Sequence, residues 1–102
     1  MTYIFGEKDL LNPIFVSFDI GYKNLTISKG VKKIDEKSWK VETLEKIEDK
    51  KEALNRLKQG INIEDNGKNI HIQLKNKFIV QKLIVKINGE EIKGHEYLQF
   101  II

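Results

Sequence analysis

Only one stretch of this 102-residue chain, about Glu48 to Gln59, has helical periodicity; most of the rest alternates apolar and polar residues. That contrast constrains the fold most. A single helix with one apolar stripe cannot bury itself and needs a sheet to lie on. Ile47, Leu54, Leu57 and Ile61 form the stripe, with Ala53 beside it. Asp49 followed by Glu52 resembles a capping arrangement, Glu52 can pair with Arg56 at i,i+4, and Gly60 is a natural stop.

Around this helix the sequence predicts short strands. Pro13 ends an N-terminal arm and enters a strand, Ile14 to Ile20, with Ile14, Val16, Phe18 and Ile20 on one face. Asn24 to Ser28 is a second strand, and Lys29-Gly30 reads as a turn into Val31 to Ile34. Trp39 to Leu44 alternates with Trp39, Val41 and Thr43 on one side. After the helix, Ile61 to Glu64, Asn69 to Lys75, Phe78 to Ile87 and Tyr97 to Ile102 read as a meander, with turns at Asp65-Asn66-Gly67, Asn76-Lys77 and Asn88-Gly89. The expected fold is a single α+β domain over residues 1–102: a mostly antiparallel β-meander, as a small sheet, barrel or sandwich, with one amphipathic helix packed on it. Its core should include Val16, Phe18, Ile27, Trp39, Leu54, Leu57, Ile72, Leu74, Leu83, Val85 and Phe100.

Composition narrows the function classes. There is no cysteine, which excludes disulfides, thiolate zinc sites, iron–sulfur clusters and thiol catalysis. No apolar run approaches the roughly 20 residues of a membrane-crossing helix. The start lacks a signal-peptide pattern, so a cytoplasmic or virion location is expected rather than secretion. The net charge is +3, but Arg56 is the sole arginine and acidic residues are interspersed with the lysines throughout. A solvated mixed-charge surface is therefore expected rather than a nucleic-acid interface.

Candidate chemistry is sparse. His71 falls on the polar face of an alternating strand, and His95 follows Gly94 in a predicted turn; neither has metal-ligand spacing around it. No Gly-x-Ser-x-Gly, phosphate-binding or dinucleotide-binding motif occurs, and no cofactor is expected. The segment Phe18-Asp19-Ile20-Gly21-Tyr22-Lys23-Asn24-Leu25 resembles the first strand of RNase H-like Holliday junction resolvases. That resemblance implies that Asp19 ligates a divalent metal for phosphodiester hydrolysis. The same segment is slightly similar to the first phosphate loop of actin-like ATPases. The resemblance covers about eight residues, and the acidic C-terminal helix of the resolvases has no counterpart in the predicted strands and turns after Ile61.

The chain's two ends are unusually apolar: Tyr3, Ile4 and Phe5 at the start, and Leu98, Phe100, Ile101 and Ile102 at the finish. Exposed, they would be aggregation-prone edges. Either they belong to the chain's own sheet, or at least one adds to a neighbouring subunit. These seven residues are the candidate interaction residues. The leading functional expectation is a non-enzymatic structural module that self-associates or joins other subunits of an assembly, with the size and composition of small bacteriophage head–tail, neck, baseplate or decoration proteins. The alternatives are a metal-dependent nuclease centred on Asp19 and a small inhibitor of a host factor.

Overall fold

Alternation becomes strands, and strand pairing sorts them into two sheets. The structure, a computed structural model, describes residues 1–8, 12–18, 24–75, 83–97 and, for the backbone alone, 100–101. The strands are β1 (Thr2–Phe5), β2 (Ile14–Phe18), β3 (Leu25–Asp35), β4 (Ser38–Ile47), β5 (Ile61–Asp65), β6 (Lys68–Leu74), β7 (Leu83–Ile87), β8 (Glu90–Ile92), β9 (Gly94–Glu96) and β10 (Phe100–Ile101), with helix α1 (Lys50–Gln59) between β4 and β5. The first sheet has the order β10-β4-β3-β2-β1-β9 and the second β5-β6-β7-β8. All pairings are antiparallel except β10 with β4. This is the expected α+β meander with one helix.

The two sheets share one core. Tyr3, Phe5, Ile14, Val16, Phe18, Leu25 and Ile27 of the first meet Ile61, Ile70, Ile72, Leu74, Val85 and Ile87 of the second, with Ala53 and Leu57 of α1. The opposite face of the first sheet carries a smaller cluster of Ile4, Phe15, Trp39 and Tyr97. Strand β2 therefore buries both faces, which makes it an inner strand in packing as well as in order.

Three local forces fix the elements. Asp49 caps α1 by accepting from the Lys51 N–H, and Gly60 ends it at φ 99°. Asn66-Gly67 and Asn88-Gly89 all adopt positive φ, the requirement of a tight hairpin turn. Lys29, buried on β3, donates to both carboxylate oxygens of Asp65 at 3.0 and 2.9 Å, tying the first sheet to the end of β5.

The structure corrects four sequence expectations. Lys29-Gly30 is not a turn: β3 runs straight through it. A Cβ on Gly30 would lie 2.8 Å from the Trp39 ring and 3.0 Å from Pro13, so the glycine answers a close approach rather than a chain reversal. His95 stands in strand β9, paired with Ile4, not in a turn, and Gly94 before it leaves room for the Phe5 ring. Arg56 reaches Glu45 on β4 at 3.2 Å rather than Glu52 on its own helix. Leu54 is only half-buried, and Ala53 takes the inner position with Leu57. Phe100 in the expected core has no described side chain, and the Asn76-Lys77 turn and start of the Phe78 strand lie outside the described residues.

Candidate functional site

The expected interaction residues at the N-terminal end are used inside the chain. β1 is paired on both sides, with β2 and β9, and Tyr3, Ile4 and Phe5 are 7, 0 and 5% exposed. At the other end, Phe100 and Ile101 run parallel to Ser38 and Trp39. Their side chains, together with Leu98 and Ile102, lie outside the described residues, as do residues 19–23 of the segment with the resolvase resemblance, Asp19 among them. Among the described residues no group of three or more acidic or histidine side chains is placed to hold a metal, and no helix is long and apolar enough to cross a membrane.

What the sequence reading missed is a ribbon. β2 pairs with β3 only through Lys29, whereas β4 pairs with β3 out to Asp35. The tip of the β3–β4 hairpin therefore overhangs the first sheet, and every residue from Val31 to Lys37 is exposed. Two large apolar side chains lie there, Val31 at 44% and Ile34 at 49% exposure. Bulges at Gly30/Lys32 and Lys33/Asp35 twist the ribbon. Lys32 and Lys40 stand directly across from each other, a like-charge pair of the kind that destabilises a ladder, and neither has an ion-pair partner among the described residues. Lys33 turns to the other face, 5.8 Å above the Trp39 ring and 3.9 Å from Glu7. The signal was present as Val31-Lys32-Lys33-Ile34 followed by Asp35-Glu36-Lys37, a strand and turn continuing past Gly30.

Beyond Gly30, whose N–H donates to the Pro13 carbonyl and whose carbonyl accepts from the Asn12 side chain, no strand among the described residues pairs with the outer edge of β3. A second edge with no described strand on its outer side lies elsewhere. β8 ends the second sheet, and the chain continues through Lys93 into β9, which ends the first sheet. This edge is acidic at Glu90, Glu91 and Glu96.

Between these last strands opens a cleft of about 730 Å³, floored by Tyr3, Phe5, Leu83 and Ile92 and rimmed by Glu91 and His95. His95 Nε2 lies 3.1 Å from Glu7 and its Nδ1 lies 2.9 Å from the Glu96 carbonyl. The exposed imidazole ties the chain after β1 to β9. His71 is likewise held by its neighbours, Asn62 at 2.8 Å and Gln73 at 3.4 Å. Trp39 Nε1 and the Tyr97 hydroxyl are buried with no hydrogen-bond partner among the described residues. Burial, then the charges of Glu7 and Asp35, hold the Tyr97 pKa above its usual 10.0.

No family model, curated protein or solved structure matches the chain. The geometry of these edges is therefore the ground for a functional reading.

Proposed function

We propose that this chain is a non-enzymatic assembly subunit that joins its copies through exposed strand edges. The observation that supports the reading best is the overhanging β3–β4 ribbon. It sets two exposed apolar side chains beside a strand edge that no described strand covers. Soluble proteins ordinarily blunt such an edge or use it, because an open ladder is a template for another strand. The lysines of the ribbon and the glutamates of β8 supply orientation and partner choice and add to the affinity.

Light scattering across a concentration series tests it. The mass should rise above the 11.9 kDa of one chain as concentration increases. Ile34→Lys, which removes an apolar contact and adds an edge-blocking charge, should lower that mass. A monomer at every concentration would overturn the reading.

A further inference from the structure

Resting on that assembly reading, we infer that the outer edge of β3 in one copy pairs with the outer edge of β8 in the next, a head-to-tail contact between two different surfaces. Three observations on the chain converge on this occupant.

The first is charge. The ribbon presents Lys32, Lys33 and Lys40, and β8 presents Glu90 and Glu91, all five exposed. Pairing β3 with β3 of a second copy in the register centred on Lys32-Lys33 would oppose lysine to lysine, and pairing β8 with β8 in the register centred on Glu90-Glu91 would oppose glutamate to glutamate, both unfavourable. The mixed contact sets both edge lysines against glutamates.

The second is side-chain order. In the antiparallel register that sets Lys32 against Glu91, Lys33 meets Glu90 and Val31, the extra residue of the bulge at Gly30/Lys32, lies beside Ile92. Within the chain Glu91 is already cross-strand partner to Lys86, and Lys32 to Lys40. Docking completes a row of Lys86, Glu91, Lys32 and Lys40 across four strands. It places a carboxylate beside the lysine pair that has no described partner.

The third is the backbone. Both edges have their inner side paired and no described strand on the outer side. Among the described residues, the two ladders can therefore join without displacing a strand. A nucleic-acid duplex would use the lysines but leave Val31, Ile34 and these backbone groups unused, and Asp35 and Glu36 at the ribbon tip would repel its phosphates.

The test uses paired charge reversal. Lys32→Glu/Lys40→Glu and Glu90→Lys/Glu91→Lys should each weaken self-association roughly tenfold or more by opposing like charges. Mixing the two variants in equal amounts should restore growth, because each then meets a complementary edge. Cysteine trapping is independent of these energetics, and the cysteine-free chain makes it clean. Lys32→Cys mixed with Glu91→Cys should give a disulfide-linked pair, whereas each variant alone should not.

If the wild-type chain assembles and both reversals assemble as well as it does, with no 32–91 crosslink, the edge pairing is wrong and the assembly reading stands. A wild-type chain that is monomeric throughout removes both. Loss of duplex-DNA binding in the ribbon variant alone, with assembly unchanged, would make the ribbon a nucleic-acid surface and overturn the pairing.

Discussion

Lys29 and Tyr97 hold their protons more tightly in the folded chain than in the unfolded one. For Lys29 the main cause is the hydrogen bond to Asp65; burial works against it, and the charges of Asp65 and Glu42 add to it. For Tyr97 the main cause is burial. As pH rises, the unfolded chain therefore releases these protons first. Stability from both groups is fully present below pH 10.0, where an unfolded tyrosine ionises, and is lost above it, with lysine joining above 10.5. Urea unfolding at about pH 9 and about pH 11 should show this fall, and Tyr97→Phe should make it shallower. At neutral pH the same substitution removes a buried hydroxyl without a partner among the described residues, so it should be neutral or stabilising by up to ~1 kcal/mol. A clear loss of stability would mean that the hydroxyl is bonded in solution.

At the scale of elements, α1 shows where an apolar stripe is legible and where it misleads. The spacing of Leu54, Leu57 and Ile61 reveals the helix, and Asp49 and Gly60 mark its ends. Which of two adjacent positions points inward depends on where β4 and β6 lie, and periodicity alone does not carry that. Ala53 and Leu57 are buried against the sheets, and Leu54 sits at the margin. Leu57→Ala should cost about 2–5 kcal/mol, the range for truncating a buried leucine, and Leu54→Ala well under half of that. Thermal and urea unfolding of the two variants would check the ranking; equal losses would place Leu54 in the core. The hairpin turns were equally legible, because Asn-Gly carries its own backbone preference. Gly30 was not, since a glycine that makes room for Trp39 has the same sequence signature as one that turns the chain. The burial of both faces of β2 was hidden too: Phe15 falls among the outward positions of the alternation, and its T-shaped contacts with Trp39 and Tyr97 come from distant segments.

For the whole molecule, sequence alternation supplied strands and class but left sheet, barrel and sandwich open, because edge order depends on pairings such as β1 with β9 and β10 with β4. Edge order is what places a basic ribbon at one margin and an acidic strand at another. Two unlike edges make a contact that does not close on itself by twofold symmetry, so it propagates into rings or filaments rather than stopping at a dimer. Its lysine–glutamate pairs would lie at a solvated margin, where salt screens charge over roughly 8 Å at physiological ionic strength. Raising sodium chloride from about 50 mM to about 500 mM should therefore lower the scattering mass at fixed concentration, with growth returning on dilution of the salt. Apolar contact predicts the reverse, since salt does not weaken the burial of Val31 or Ile34. A mass that climbs with salt would mean that those two side chains drive association and that the lysines only shield them. A mass that falls would assign orientation and growth to the charged row.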